Sequence, residues 1–466
     1  MHINDACGDL TMQYSRSLEV SASPDVLVCG AGCAGTVAAI AAAREGASVL
    51  LVERFGFSGG YVTGVIGASF DGFVDLRSGL PVVGGIVTEF AGMATGGGAD
   101  VMRRAFSPSN ELREMSETPD RNKIRFNIEG FKRQADRLFR ESGAEVLYYT
   151  KVVDVIRKGS RVEGVVVANK AGLSIITPKM VVDASGDADA AAYAGADFDI
   201  SEEMQPMSLH FRIGNVHIDR DTRDQCSAVL KEAHRRGDLL LYGGPWIGRL
   251  EADTEVYFNA CRAAGSGIDP VDLTRAEVQG RIDAALMFDL FKRHVPAFRD
   301  AYLSSTGPFA GVRETRRIVG DSTLTAEDID QQRSQEDVIA LGCWYRDRHP
   351  KGASGYHMHE VVRPYDIGYG TLLPRGIDNM IVAGRCHSAD SSALASSRVT
   401  VTAMAMGEAA GTAAAMACAA HTTTRGLKVS DLQRRLLGNG AIILDRAEQV
   451  LSVGDAREDV PVSAVR

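Results

Sequence analysis

Residues 25–35 read Asp25-Val-Leu-Val-Cys-Gly-Ala-Gly-Cys-Ala-Gly35, an alanine-rich run follows to Arg44, and Val49-Leu-Leu-Val-Glu53 closes the stretch. Val26, Leu27 and Val28 form a short apolar strand that enters Gly30-x-Gly32-x-x-Gly35. A helix is expected from about Thr36 to Arg44, and after the turn at Gly46 a second strand ends on Glu53. In this register the parts make the dinucleotide-binding βαβ fingerprint. Gly30 makes the tight turn, Gly32 lets backbone come against a pyrophosphate, and Gly35 lets helix and strand pack closely. The helix N-terminus offers N–H groups and partial positive charge to the phosphates. Glu53 stands where a carboxylate accepts hydrogen bonds from an adenosine ribose.

Outward from this stretch, 466 residues are too many for one compact core, so two domains are expected. A formal charge of −9 argues against a nucleic-acid surface, which demands a basic face. The eight cysteines are scattered, without CxxC or metal-ligand spacing, and read as reduced thiols of a cytoplasmic protein. The first 23 residues carry Asp5, Asp9 and Glu19 and no apolar block, so no secretory signal is expected. Val399 to Ala420 holds one charge, Glu408, but is mostly Ala, Thr, Met and Gly. It reads as a buried helix, with Gly407 and Gly411 on one face, rather than a membrane span.

Along the chain, Gly59-Gly60 follows the acidic strand end and lets backbone approach a flat ligand. An excursion over 72–124 contains a glycine-rich and charged run at 91–123 that reads as a loop or lid. Ile128 to Glu141 is amphipathic and Gly143 ends it. Four short strands between Ala144 and Thr177 suggest an antiparallel meander. The strand Lys179 to Val182 then delivers Asp183-Ala-Ser-Gly186-Asp187, a second small-residue turn for the same ligand. Residues 201–360 read as an inserted α+β substrate domain, with helices near Asp221–Gly237 and Arg275–Val295. Residues 361–425 return to the first domain, which opened at 20–200, through a buried strand at 379–383, the turn Gly384-Arg385, a Ser-rich loop at 386–398 and the helix 399–420. A C-terminal extension covers 426–466. The fold class is therefore α/β: a Rossmann-like domain, parallel sheet plus antiparallel meander, with an inserted substrate domain.

Five ordered motifs carry a family resemblance: the Gly30 fingerprint, Gly59-Gly60, Asp183-Ala-Ser-Gly-Asp, Gly311-Val-Arg-Glu-Thr-Arg-Arg317, and Val382-Ala-Gly-Arg385 with Met406-Gly-Glu-Ala-Ala-Gly411. Their order, from about residue 20 to 420, resembles FAD-dependent oxidoreductases of glutathione-reductase-like fold, nearest the group related to succinate dehydrogenase and fumarate reductase flavoproteins. The resemblance implies tightly bound FAD, with its pyrophosphate on Gly30, Gly32, Cys33, Ala34 and Gly35 and its AMP half on Glu53 and Arg54. It further implies contacts from Gly59, Gly60, Val152, Ala184, Ser185, Gly186, Gly384 and Arg385. The relatives often tether flavin through a His near the glycine pair; residues 54–64 contain none, so noncovalent FAD is expected. The cysteine pair of the disulfide reductases is absent, and Gly368 stands where the group more often has proline.

A flavin takes hydride from a C–H bond, so the protein need supply orientation and an acid or base. The polar candidates are Arg313, Arg316 and Arg317, then Asp347, His349, His357 and His359, then His387 and Arg398. Alternation would put His357 and His359 on one side of a strand as acid/base or anion contacts; no third ligand is evident, so no metal is expected. Arg316 is the candidate carboxylate fork, with an inter-domain salt bridge the competing role. The functions compatible with this set are a soluble FAD dehydrogenase, oxidase or ene-reductase of a small organic substrate, a flavin monooxygenase using O2, and an RNA-modifying relative that the negative charge disfavours. No membrane or nucleic-acid partner is expected; electron acceptor and oligomeric state stay open.

Overall fold

The computed structural model describes residues 12–67, 69–75, 81–94, 123–125, 127–249, 254–349, 352, 354–355 and 362–443. At its centre is a five-stranded parallel sheet, ordered Met380–Val382, Met180–Asp183, Val26–Cys29, Val49–Val52, Glu145–Leu147. Its inner strands are apolar and buried on both faces, which is why their sequences run without alternation. Val26–Cys29 lies mid-sheet, between strands reached in opposite directions, so a crevice opens beyond the carboxyl ends of the strands.

The fingerprint helix runs Cys33–Arg44, beginning three residues earlier than its composition suggests, with Gly32 as N-cap. It packs on the return helix Thr400–Ala419, which is buried along most of its length. A Cβ on Gly407 would fall 2.2 Å from the carbonyl oxygen of Ala34, and one on Gly411 2.1 Å from that of Ala38. Bare glycines are therefore what lets the two helices meet. Among the described residues no helix is long and apolar enough to cross a membrane.

The amphipathic helix Ile128–Ser142 is capped by Asn127, whose side chain accepts from the N–H groups of Glu129 and Gly130, and it ends on left-handed Gly143. The meander is present as Lys151–Lys158, Arg161–Asn169 and Gly172–Ile176, antiparallel in turn. Val20–Ala22 joins it as a parallel fourth strand, ahead of the fingerprint. The excursion leaves and returns on a two-stranded ladder, Ser69–Asp71 against Lys123–Arg125; of the 91–123 run read as a loop or lid, 91–94 belong to helix Ile86–Ala94 and 95–122 lie outside the described residues.

A second, antiparallel sheet is ordered Tyr242–Arg249, Glu255–Cys261, His210–Gly214, Tyr302–Thr306. Helices Arg220–Arg235 and Pro270–His294 pack on it around a core of its own, where Phe211 stacks on Phe258 at 5.0 Å. Asp219 and Asp269 cap these helices, the latter with Pro270 in the first turn.

Two stretches differ from the sequence reading. The Ser-rich segment 386–398 is not all loop: Ser391–Ser397 is helical because the Asp390 carboxylate accepts from the Ala393 N–H at 2.7 Å. Segment 311–317 is not a continuous strand: Gly311 makes an isolated antiparallel bridge to Ser208, and Arg317–Ile318 pairs with Phe198–Asp199. In the C-terminal extension, helix Val429–Gly438 buries Leu432 and Leu436 in the main core.

Candidate active site

One cavity of about 480 Å3 runs from the carboxyl ends of the parallel strands to the underside of the antiparallel sheet. At the nucleotide end it is walled by Gly30, Gly32, Cys33 and Ala34, then Glu53, Arg54 and Gly60. Val152, Ala184, Ser185, Gly186, Gly384 and Arg385 complete that end, so most of the expected cofactor residues are brought together. Gly35 and Gly59 shape the turn from behind instead. A Cβ on Gly35 would fall 1.8 Å from the Gly30 carbonyl oxygen, and one on Gly59 would meet Thr63 and Phe131.

Gly32 is different. A Cβ there would find nothing nearer than the Ala184 oxygen at 4.0 Å, so its missing side chain leaves space in the cavity itself. The N-cap carries no side-chain hydrogen bond, which leaves the first-turn N–H groups for a phosphate. Glu53 is buried, accepting from the Ala31 N–H at 2.7 Å and the Phe55 N–H at 2.9 Å. Burial pushes its carboxyl above the ordinary range despite those bonds. Its remaining lone pairs suit ribose hydroxyls. These residues fit a dinucleotide such as FAD.

The second turn is held by hydrogen bonds to a buried carboxylate. Asp183 is buried and accepts from the N–H groups of Ser185 and Ala191 at 3.0 and 2.8 Å. Arg385 bridges Asp187 at 2.7 Å and the Thr315 hydroxyl at 2.9 Å, tying this turn to the return segment. Burial opposes charge on Asp187, but the Arg385 guanidinium, the Thr315 hydroxyl and Arg54 together outweigh it and hold the carboxyl below its usual range.

At the far end the walls are Ser208, His210, Trp246 and Asn259, then Arg313, Asp347, His349 and Arg398. His349 Nε2 lies 3.0 Å from Asp347 Oδ1, and Arg398 donates to the Asp347 carbonyl at 2.9 Å. Burial, then the charge of Arg313, pushes His349 down to about 3, so it is neutral. His210 is likewise held well below its ordinary value by burial and by Arg313 and Arg262.

The other sequence candidates fall elsewhere. Arg316 donates to the Asp187 carbonyl and to Asp189, each at 2.9 Å, and lies over the Phe198 ring, away from the cavity wall. His387 is fully buried between Gly384 and Ser397, with Nδ1 donating to the Gly384 carbonyl at 2.8 Å, and burial pushes it down to about 4. It fastens the Gly384 turn to helix Ser391–Ser397. His357 and His359 lie outside the described residues. Sequence reasoning missed His210 and Asn259 on the cavity wall; the available signal was a polar residue, His210, inside the apolar alternation of Leu209 to Ile213.

A family model described as FAD dependent oxidoreductase matches residues 25–436. The chain belongs to that family. FAD is thus the cofactor, and the enzyme is an oxidoreductase. A digeranylgeranylglycerophospholipid reductase of Picrophilus torridus is 28% identical over 202 residues, 43% of this chain and 49% of that protein. The chain thus matches about half the length of that curated relative. Solved structures of similar shape include a geranylgeranyl bacteriochlorophyll reductase-like protein of Thermoplasma acidophilum, at 12% identity, TM-score 0.47 and coverage of 90% of this chain and 84% of that one. An anhydrotetracycline hydroxylase of Streptomyces rimosus gives 12% identity, TM-score 0.43, and coverage of 85% and 63%.

Proposed function

We propose that this FAD-dependent oxidoreductase transfers a hydride between noncovalently held FAD and a small organic, carboxylate-bearing substrate. The observation that carries this reading is the unbroken cavity from the Gly32 cradle to the arginine and histidine side chains beneath the antiparallel sheet. FAD, when bound, supplies the hydride acceptor or donor. The chain's own residues do the rest. Phe55 stacks on Phe309 at 4.6 Å, so the cavity wall has an apolar side that turns water away. Arg313 and Arg398 replace Arg316 as the groups that orient the substrate. His349, steadied by Asp347 and neutral, serves as a hydrogen-bonding group at the cavity wall, and His357 and His359 remain the candidates for giving or taking a proton. The nearer relation to succinate dehydrogenase and fumarate reductase flavoproteins belongs to this proposal too and rests on the five ordered motifs.

The experiment is anaerobic mixing of the holoenzyme with a panel of organic acids and their neutral analogues, followed by the visible flavin absorption. Bleaching by a carboxylate donor supports the reading. Flavin that is reduced only by a nicotinamide cofactor and then oxygenates a product in air would replace it with a monooxygenase.

A further inference from the structure

We infer that the substrate carries a planar aromatic ring, received in a corner of the cavity between Tyr61 and the sheet face that bears Trp246, Tyr257 and His210. This rests on the oxidoreductase reading above and names the class of molecule that its site accepts. In the antiparallel sheet His210 lies directly across from Asn259, and Asn259 directly across from Trp246. Residues paired in this way point to the same face, and Tyr257, two positions from Asn259, shares it. The opposite face sends Phe211, Ile247 and Phe258 into the unit's own core. His210, Asn259, Trp246 and Tyr257 all wall the cavity. The open face of such a sheet is ordinarily polar and wet. Here two large rings and an uncharged imidazole stand on it.

Ring geometry makes the corner. The His210 and Tyr257 rings are 6.2 Å apart and within 15° of parallel, whereas the Tyr61 ring meets His210 edge-on, 5.9 Å away and turned by 85°. A flat ring placed there stacks on one wall and meets the other edge to face, the two arrangements that aromatic pairs favour. The walls are fixed. A Cβ on Gly67 would collide with the Tyr61 ring, and one on Gly248 with the Tyr257 ring, so each ring lies across a bare glycine. The corner is also within reach of a ligand: Tyr61 is 41% exposed, Trp246 is half-buried, and both line the cavity. Apolar ring surface left open in a concave site marks where a ligand binds. Tyr61 directly follows Gly60, where a Cβ would stand 3.0 Å from the Gly32 Cα, so the corner adjoins the nucleotide end.

The test titrates FAD-loaded protein with benzoate and 2-naphthoate, and with cyclohexanecarboxylate and decalin-2-carboxylate, which match them in charge and ring number but are not flat. The corresponding amides are run beside them. Binding is read by calorimetry and by tryptophan emission, since both tryptophans of the chain, Trp246 and Trp344, wall the cavity. The aromatic member of each pair is expected to bind at least about tenfold more tightly, as acid and as amide. Trp246→Leu and Tyr61→Leu keep apolar bulk and remove the ring, and each should cut that preference to about threefold or less. Equal binding of flat and saturated members by wild type overturns the inference, and so does the absence of binding by any aromatic probe. An undiminished preference in a variant whose thermal melt matches wild type overturns it as well. The amide pairs read the ring preference without the carboxylate, so failure of the aromatic corner and failure of the carboxylate-oxidising reading are separate outcomes.

Discussion

Replacing Gly32 by Val separates the cofactor site from the fold. Gly32 has φ −67° and ψ −172°, an extended conformation open to any residue, so the substitution carries no backbone strain. Its Cβ would meet only the Ala184 oxygen at 4.0 Å, so the cofactor-free protein should unfold within about 0.5 kcal/mol of wild type. The bound pyrophosphate is another matter, because side-chain carbons would stand between it and the first turn of helix Cys33–Arg44. Two charge-assisted hydrogen bonds at about 1.5–3 kcal/mol each, with about 1 kcal/mol from the helix terminus, put the loss at ~4 kcal/mol or more. That is roughly a thousandfold in Kd. Gly35→Ala gives the contrast, since its Cβ would fall 1.8 Å from the Gly30 carbonyl oxygen and should destabilise the protein itself. The assay is FAD titration by flavin fluorescence beside thermal unfolding of the cofactor-free proteins. Full FAD affinity in a well-folded Gly32→Val would refute the placement of the pyrophosphate.

The remaining predictions concern the cofactor and a buried acid. Purified protein should be yellow, and acid precipitation should release the colour as free FAD; flavin retained in the pellet would contradict noncovalent binding. Glu53→Ala should weaken FAD by ~1.5–3 kcal/mol and also lower the melting temperature, because the carboxylate ties the Ala31 and Phe55 N–H groups; unchanged values for both would count against it. Glu408 is buried against the Ile86 N–H, and burial raises its carboxyl to about 8. The folded state therefore prefers the neutral acid, and that stability is present below about pH 4.5 and lost as pH rises through about 8. Glu408→Gln should accordingly raise the melting temperature near pH 9 by the equivalent of a few kcal/mol and change little near pH 5. A pH-independent difference would be the opposing result.

The parallel core was legible because its strands, apart from the edge strand Glu145–Leu147, are buried on both faces, so runs such as Val26-Leu-Val and Met380-Ile-Val stand out without any alternation to find. Gly407 and Gly411 marked the return helix as a close-packing one, and the distances to Ala34 and Ala38 give the reason. Helix Ser391–Ser397 was hidden by its serines, since its start depends on one capping carboxylate, Asp390. Asn259 was hidden for a different reason: it faces His210 across strands joined only by long-range register, which no local pattern encodes. Arg313 and Arg316 could not be ranked by alternation, because the chain before Arg317 is not a strand; the pocket receives Arg313, and Asp189 takes Arg316.

The most direct test is anaerobic stopped-flow reduction of the bound FAD by an organic acid from the panel, in wild type and in Arg313→Gln and Arg398→Gln proteins shown to hold FAD normally. The account predicts rapid loss of the visible flavin absorption in wild type and at least about tenfold slower reduction or weaker acid binding in both variants, ~1.4 kcal/mol or more. Reduction by the acid at wild-type rate and affinity in both variants would contradict it.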